Sequence, residues 1–504
     1  MASGRLLLLA VVAAGVVALG LSFDGSPAAT SSGLEPAPIP AAGRPGALSS
    51  TWFCAAGGAG TKDPLRHDLF LVNPAGEAAT AKLTAFNADG PVAEKVVEVT
   101  APGPTEIVVN TLFGAPGLSV MVESDAGELV VEHRLIGADV ADQVPCATSS
   151  SDQWYFPAQT TVSNTSAQLY VFNPFPGDAS VDISADVGAG VRSPGELQGL
   201  VVPGGTARLV NLGDYFQRRE QFAVAVEARN GQVIAETAQT LATTAKGDIP
   251  ATRGLRLQLG VPRASSDWVF AQGFTGPGAS ERLVMFNPGD EPAKVVVQVT
   301  PFGAAELPPE PFELDVPARR FAQLDLSAET RIPGEGLHAI RIETDDDTPI
   351  VAGRVDTVFA RREDPSAPEI TARPPLTLGT AIGTGTPDAA PLWAATGLVV
   401  GERSESLVAV HNPSADTVRV TATVIGGTGD GTVLADAVEI APGDSLAVRT
   451  RGQSLGDGEV TVLVEATAPV VVERTITYLG QDDLAMGMAV PLPSDGGGLA
   501  PIGR

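Results

Sequence analysis

Alternating apolar and polar residues dominate the chain after residue 50. One such row runs from Val295 to Val299, and another runs from Val181 to Ala185. A period of two places successive side chains on opposite faces of a strand, so that one face is buried and the other meets water. We find no convincing helix of three turns after residue 50. The pattern therefore predicts an all-β fold.

An internal repeat organises these rows, because five landmarks recur four times in one order. Each copy has a tryptophan, an apolar run ending in Asn-Pro, an alternating row, a proline-led turn and a strand ending in glutamate. The tryptophans are Trp52, Trp154, Trp268 and Trp393, and the asparagines are Asn73, Asn173, Asn287 and Asn412. A period of roughly 100 to 125 residues is far longer than a solenoid repeat, so each copy should fold as its own domain.

The strand content of each copy predicts its architecture. Asn-Pro indicates a turn, because proline fixes its own φ and an asparagine side chain bonds to nearby backbone. Six or seven strands in about 100 residues fit a two-sheet sandwich better than a barrel or packed meanders. We therefore expect an all-β protein with four tandem immunoglobulin-like antiparallel β-sandwich repeats after an N-terminal membrane helix.

The N-terminal segment 1–23 predicts a signal anchor. Leu6 to Phe23 carries no charge and is just long enough to cross a bilayer as a helix, while Ser26-Pro27-Ala28 is a poor cleavage site. Arg5 beside the apolar run places the N-terminus in the cytoplasm. We expect a single-pass cell-membrane protein with an extracellular C-terminal part, or a secreted protein if the segment is cleaved.

Composition divides the remainder of the chain. A Pro/Ala/Ser-rich spacer covers 24–50, a linker of low hydrophobicity covers 362–391, and 492–504 reads as a disordered tail. The four copies occupy 51–150 (repeat 1), 151–262 (repeat 2), 263–361 (repeat 3) and 392–491 (repeat 4).

Charge and composition narrow the function classes. The 59 acidic and 32 basic residues give a net charge of −27, which excludes a nucleic-acid binder because such proteins need a basic patch. The same charge favours neutral glycans or basic protein patches as partners. With two cysteines and four histidines, most metal and thiol chemistry lacks ligands, and we expect no cofactor.

Cys54 and Cys146 bracket repeat 1. In an extracytoplasmic domain, a disulfide joining the first strand to the last is the natural interpretation, and two buried free thiols are the alternative. The other copies lack cysteine at these places. The bond is therefore an addition to the fold and not a condition of it.

Glutamates and tryptophans are the chemically notable residues that recur. Paired glutamates could act as a glycosidase acid and base, and exposed tryptophans could stack on sugars. Recurrence favours structural roles, with the carboxylates bonded to backbone or paired with arginine and the indoles buried. The glutamate pairs are Glu123/Glu132, Glu227/Glu236 and Glu465/Glu473.

The remaining candidates are weaker. His67, His133, His338 and His411 lack the spacing of a metal site. Asp345-Asp346-Asp347 reads as a solvated turn, since no glycine-centred calcium loop follows. We assign no catalytic, cofactor-binding or metal-binding residue.

The ending of the repeat adds a family resemblance. The pattern Trp…Leu-x-x-x-Asn-Pro…Val-x-Val-Glu…Val-Val-x-Glu-Arg resembles a β-sandwich repeat of secreted bacterial proteins, sometimes found beside hydrolase domains. The layout over 51–491 resembles an actinobacterial family of cell-envelope proteins whose function is not known. Val472-Glu473-Arg474 keeps the ending best, Glu132-His133-Arg134 has an insertion, Glu236-Thr237 lacks the arginine, and Gly353-Arg354 lacks the glutamate. The resemblance implies no catalytic residues.

Two classes of function follow. The first is a non-enzymatic, membrane-anchored envelope protein whose modules serve adhesion, scaffolding, or glycan or protein binding to an envelope polymer or envelope protein, with avidity from several weak contacts. The alternative is a degenerate hydrolase with a site between modules, or an accessory subunit of an envelope polysaccharide enzyme. Chemistry confined to one repeat and converging on a cleft would favour the hydrolase.

The predicted orientation can be tested on intact protoplasts. Added protease should digest the repeats, because everything after Phe23 is expected outside the membrane, and immunoblotting would detect the loss. Survival of the repeats would contradict this orientation, whereas release of a soluble chain beginning near Ala28 would identify a cleaved signal.

Overall fold

Antiparallel strands form almost all of the regular structure, as the alternating pattern predicts. The computed structural model describes residues 37–502 except for 45–46, 59–64, 75–76, 245–250, 304–307, 359–378, 402–403, 427–428, 452, 454, 479–482 and 493–498. Helix is limited there to α1 (Val109–Phe113), α2 (Leu212–Tyr215) and the 3-10 turns Gly195–Leu197 and Leu326–Ala328.

The strands of repeats 1 and 2 follow the chain in order. Repeat 1 contains β1 (Ser50–Cys54), β2 (Arg66–Asn73), β3 (Ala79–Asn87), β4 (Gly90–Val99), β5 (Gly103–Val108), β6 (Ser119–Ser124), β7 (Val130–Ile136) and β8 (Ala141–Pro145). Repeat 2 contains β9 (Gln153–Gln159), β10 (Thr165–Asn173), β11 (Ala179–Asp186), β12 (Val191–Arg192), β13 (Leu200–Val202), β14 (Thr206–Asn211), β15 (Phe222–Asn230), β16 (Ile234–Ala242) and β17 (Arg253–Leu259).

Repeats 3 and 4 continue the series. Repeat 3 contains β18 (Asp267–Thr275), β19 (Ala279–Asn287), β20 (Ala293–Pro301), β21 (Phe312–Val316), β22 (Arg320–Asp325), β23 (Gly336–Thr344), β24 (Val351–Val358) and β25 (Gly379–Thr384). Repeat 4 contains β26 (Asp388–Val400), β27 (Ser404–His411), β28 (Val418–Ile425), β29 (Val433–Ile440), β30 (Ser445–Arg449), β31 (Gly458–Tyr478), β32 (Asp483–Met488), β33 (Val490–Pro491) and β34 (Ala500–Pro501).

One strand order recurs in the sheets. Repeat 1 has a sheet β1-β6-β3-β4 and a sheet β5-β2-β7-β8, and repeat 3 has the matching sheets β18-β23-β20-β21 and β22-β19-β24-β25. Repeat 2 matches them, with β12 and β13 replacing one edge strand, and in repeat 4 the long β31 runs through both sheets. Residues from both sheets of repeat 1 share one core, among them Leu69, Leu83 and Val122.

The landmark residues hold the corners and centre of each repeat. Every Asn-Pro asparagine donates its side-chain N–H to the backbone carbonyl four residues later, at 2.7–2.8 Å. All four tryptophans are buried, and the indole N–H of Trp154, Trp268 and Trp393 bonds to a backbone carbonyl of the final hairpin. The interpretation of the tryptophans as core residues, and not sugar platforms, is confirmed.

Three predicted boundaries need correction. The predicted linker 362–391 contains β25 and the start of β26, and β25 pairs with β24 to complete repeat 3. The predicted tail 492–504 contains β34, which pairs with Asp388 and Ala389. The spacer 24–50 ends in packed residues, since Ile39 is buried and the N–H of Ala42 bonds to Pro491 O. These segments are short and rich in small residues, and their partners are distant in sequence. The local sequence pattern therefore did not predict the contacts.

The anchor predicted over 1–23 lies outside the described residues. In the part of the chain that the structure describes, no helix combines the length and the apolar character needed to span a bilayer.

The disulfide of repeat 1 gives a stability prediction. Cys54 and Cys146 are joined in the structure across a sequence separation of 92 residues. In the chain-entropy model, a loop of this length stabilises the fold by roughly 4–5 kcal/mol before native strain is subtracted. We expect C54A/C146A to lower the free energy of unfolding by up to that amount in urea titrations. Ready alkylation of either thiol in the folded, oxidised protein would contradict the pairing.

Candidate functional site

The four repeats meet through one edge strand from each. These hub strands (β8, β17, β25 and β32) each lie at the edge of a sheet. Along the chain each contacts the next, and β32 contacts β8, so the contacts close into a ring. An edge strand presents unpaired N–H and C=O groups that need partners when they are buried. The buried N–H groups of the closed ring therefore require hydrogen-bond acceptors inside the protein.

The carboxylate of Asp483 is such an acceptor. It accepts backbone N–H groups from all four hub strands at equivalent positions, with N···O distances of 3.1, 2.8, 3.3 and 2.9 Å. The donors are Ala141, Leu255, Thr380 and Leu484. Gly254 and Gly379 leave room for it, because a Cβ at either would lie 2.7 Å from its Oδ1. Burial raises the pKa of Asp483 well above its usual range, while the N–H donors oppose that rise.

A second layer of buried polar groups surrounds Asp142. Its carboxylate accepts the N–H groups of Gln143 at 2.8 Å and Leu257 at 2.6 Å. Arg256, at the equivalent position of β17, donates to the Thr380 hydroxyl at 2.9 and 2.7 Å. Burial raises the pKa of Asp142 well above its usual range and lowers that of Arg256 to about 10. The hub is thus polar inside.

The glutamates that end Val-x-Glu join neighbouring repeats. Arg354 of repeat 3 donates to Glu473 of repeat 4 at 2.7 Å, and the N–H of Gln272 donates to the same carboxylate at 3.1 Å. At the closing junction, Arg474 of repeat 4 bonds to Glu132 of repeat 1. Burial raises the pKa of both glutamates, and the arginines oppose that rise. The predicted structural role is confirmed for these two glutamates.

The junction of repeats 1 and 2 uses histidine where the junctions 3/4 and 4/1 use arginine. His133 Nε2 lies 2.6 Å from Glu236 Oε1, and since a carboxylate only accepts, the imidazole donates. Glu236 also accepts the N–H of Ala56 at 2.6 Å, and His133 Nδ1 lies 3.1 Å from His67 Nε2. Burial lowers the pKa of His67 well below its usual range, and the charge of His133 adds to that effect. The sequence pattern gave no signal that these two histidines touch.

The junction of repeats 2 and 3 lacks both partners. Thr237 stands where the other repeats have arginine or histidine, and Gly353 stands where they have glutamate. A Cβ at Gly353 would lie 2.7 Å from the ring of Pro157, so a glutamate does not fit without movement. The two departures from the repeat ending noted in the sequence therefore fall at the same junction.

A cleft of about 640 Å³ opens between repeats 3 and 4. Its size lies in the range of small-ligand sites. Repeat 3 contributes the end of β20, the start of β23 and the segments beside them, and repeat 4 contributes β30. The lining side chains include Phe302, Leu337, Leu446, His338, Ser445 and Arg449.

His338 and Ser445 line the cleft, and each lies against a buried polar partner, Glu281 and His411 respectively. His411 precedes Asn-Pro where repeats 1 to 3 have valine or phenylalanine, and its Nδ1 lies 3.0 Å from the Ser445 hydroxyl. His338 occupies a position that is apolar in the other repeats, and its Nε2 lies 2.9 Å from Glu281. At the junctions of repeats 1 and 2 and of repeats 2 and 3 aromatic pairs fill space, as Phe86 does against Phe172 with ring centroids 5.1 Å apart. Chemistry confined to one junction therefore converges on one cleft.

Electrostatics limit what these groups can do. Burial, aided by the charge of Arg341, lowers the pKa of His411 to about 4, which makes it a weak base for activating Ser445 at neutral pH. Burial alone would raise the pKa of Glu281, but His338 and Arg354 outweigh it and lower that pKa. The cleft therefore offers fixed hydrogen-bonding groups more readily than a charged nucleophile–base pair.

The remaining predicted residues lie away from the cleft. Glu123 pairs with Lys82 on the surface, and the exposed Asp346 caps its own turn by accepting the N–H of Thr348. Within the described ranges, no group of three potential ligands among His, Cys, Asp and Glu is arranged to hold a metal ion.

The chain is similar to one protein family and to several solved structures. A family model described as "Family of unknown function (DUF5719)" matches residues 142–356. No curated protein matches the chain. Among solved structures, the Anabaena sensory rhodopsin transducer is 28% identical, with 18% of this chain and 94% of that chain covered and a TM-score of 0.16. Thermotoga maritima 1070 is 18% identical, with 24% and 94% covered and a TM-score of 0.19. TM-scores this low carry no argument.

Substitution of Asp483 should test the hub. In D483N one oxygen becomes an N–H donor that faces backbone N–H groups, so we expect a loss of about 3–5 kcal/mol in the free energy of unfolding. The matched control D290N changes an exposed carboxylate paired with Arg319 and should leave the free energy of unfolding nearly unchanged. Urea titrations that give equal losses for the two variants would contradict the proposed role of Asp483.

Proposed function

We propose that this chain is a non-catalytic, membrane-anchored envelope protein whose four immunoglobulin-like repeats form one scaffold. The scaffold would bind an envelope polymer or an envelope protein outside the membrane. A match to a family of unknown function and a β-rich fold are compatible with a binding module. The N-terminal apolar run supports the anchor.

One observation carries the binding proposal. Three of the recurring carboxylates, Glu132, Glu236 and Glu473, are used in holding repeats together, so they are not available to a ligand. Polar groups that occur at only one junction instead gather at the cleft between repeats 3 and 4. His338 and Ser445 line it, and each is held in place by a buried partner. This arrangement is typical of a site with oriented hydrogen-bonding groups.

The hub changes the expected mode of binding. Independent modules on flexible linkers would gain avidity from several weak contacts. The hub strands instead unite the repeats, and residues 37–504 form one compact unit. The expectation of four independent modules is therefore wrong, and we propose one binding cleft per chain.

A hydrolase remains the second candidate, because two residue pairs converge on the cleft in the way set out for it above. Ser445 would be the nucleophile, His411 its base, and His338 with Glu281 a second acid–base pair. The low pKa of His411 opposes this alternative, since a base that weak removes a serine proton poorly at neutral pH.

Filling the cleft should separate these functions. H411F/S445F installs the phenylalanines that repeat 3 carries at the equivalent positions, Phe286 and Phe321. We expect the full chain to co-sediment with isolated cell envelopes and the filled variant to lose at least about tenfold in apparent affinity. The control R419Q/E439Q removes an exposed ion pair and should bind as the unsubstituted chain does.

The same variants test the alternative. Retention of the filled variant on envelopes would contradict binding in the cleft. Hydrolysis of envelope glycan by the unsubstituted chain, lost in S445A with the fold unchanged, would establish the hydrolase in place of the scaffold.

A further inference from the structure

Each repeat has a second edge strand, and neighbouring repeats cover three of the four. These strands are β5, β14, β22 and β30, which lie at the opposite end of the sheet from the hub strand. Strand β14 contacts β3 and β4 of repeat 1, β22 contacts β15 of repeat 2, and β5 contacts β31 of repeat 4. Such coverage is how natural sheets protect an edge from pairing with other chains.

At the junction of repeats 2 and 3, the neighbouring repeat also accepts a hydrogen bond from the backbone of the edge strand. The outward N–H of Phe321 in β22 donates to Asp186 of repeat 2 at 2.9 Å. The equivalent N–H in β30 belongs to Ser445, and it donates to its own neighbour Asp444 at 2.7 Å. Asp444 also accepts the N–H of Gly303 at 3.0 Å, and beyond this contact the walls separate into the cleft.

Strand β30 presents free backbone groups to that cleft. The N–H of Asn412 bonds to Asp444 O and the N–H of Thr450 bonds to Ser406 O, which fixes the alternation along β30. Leu446 and Val448 therefore direct their backbone groups toward β27, whereas Ala447 and Arg449 direct theirs away from it. Among the described residues β30 pairs with β27 alone, so its outer edge has the donors and acceptors of an unfinished sheet.

We infer that the cleft takes an extended segment of a partner polypeptide, which adds to β30 as a further strand. The inference rests on the proposed function and names the partner class for its binding site. Main-chain hydrogen bonds to Ala447 and Arg449 supply affinity in this mode, and pockets for alternate side chains supply specificity. Phe302, Leu337 and Leu446 give the cleft apolar walls for those side chains.

Charge defines the segment further. Glu405 lies 2.8 Å from Arg449 and neutralises it, while Glu335 and Asp444 place negative charge near the rim. The whole chain carries −27, so a basic segment is attracted and an acidic one repelled. The occupant is an extended peptide in which valine-like residues alternate with lysine or arginine.

A defined peptide tests the mode of binding. The probe is a fluorescein-labelled, capped heptapeptide of alternating valine and lysine, and its control is the same peptide with alternate amides N-methylated. We expect saturable binding to the full chain by fluorescence anisotropy, weakened about tenfold or more by N-methylation because each lost main-chain hydrogen bond costs affinity. Hydrogen exchange of Ala447 and Arg449 should slow when the peptide is bound.

A matched pair of variants tests the location. A447P removes an N–H that points away from β27, where an edge strand tolerates proline, and A447S keeps that N–H. A447P should weaken the peptide about tenfold or more, and A447S should bind normally, with melting curves as the check on folding. Equal binding of both peptides to the unsubstituted chain would overturn strand addition.

Different results would overturn the proposed function and the peptide inference. Loss of envelope retention in H411F/S445F, without any peptide binding to the unsubstituted chain, would leave the proposed function standing and overturn the peptide inference. Protection of Ala447 and Arg449 by soluble envelope oligosaccharides, and not by the peptide, would overturn it in favour of a glycan. Retention unaffected by filling the cleft would overturn the proposed function itself.

Discussion

The architecture depends on one requirement, that the backbone donors of four buried sheet edges find acceptors. A strand edge exposed to water is satisfied by solvent, but four edges that converge exclude water and lose that partner. One carboxylate can accept several N–H groups at once, and Asp483 accepts one from each hub strand. Removing the carboxylate from water costs free energy, and its hydrogen bonds offset that cost. The four repeats are therefore joined by hydrogen bonds from the backbone as well as by side-chain packing.

The buried charges between repeats follow the same logic. A buried carboxylate is tolerated when an opposite charge or a backbone donor is placed against it, and removing one partner leaves the other uncompensated. Arg474 with Glu132 and Arg354 with Glu473 keep both members, while Thr237 and Gly353 have lost both together. A neutral junction and a paired junction are both stable solutions. None of the four junctions has one partner without the other.

The strand class, the Asn-Pro turns and the buried tryptophans could be predicted from the sequence, because each depends on residues close in sequence or on recurrence. Strand β25 could not be predicted in this way, because its sequence Gly-Thr-Ala-Ile-Gly-Thr reads as a linker. Small residues are required there by the close approach of Asp483 to Gly379, a contact spanning about a hundred residues. Similarly, Ser445 and His411 are unremarkable until the register places them side by side at a junction. The local sequence pattern predicts strands and turns. The contacts between repeats depend instead on how the ring of hub strands closes.

The position of Asp483 near the end of the chain has a consequence for biosynthesis. A chain that emerges from its N-terminus completes repeats 1 to 3 before the residue that satisfies their inner edges has been made. Until β32 docks, β8, β17 and β25 present open backbone groups, which are templates for pairing with neighbouring chains. A growing chain therefore passes through a late intermediate with open sheet edges. A chain cut short before Asp483 would leave the inner edges of β8, β17 and β25 without this acceptor and would be prone to aggregate.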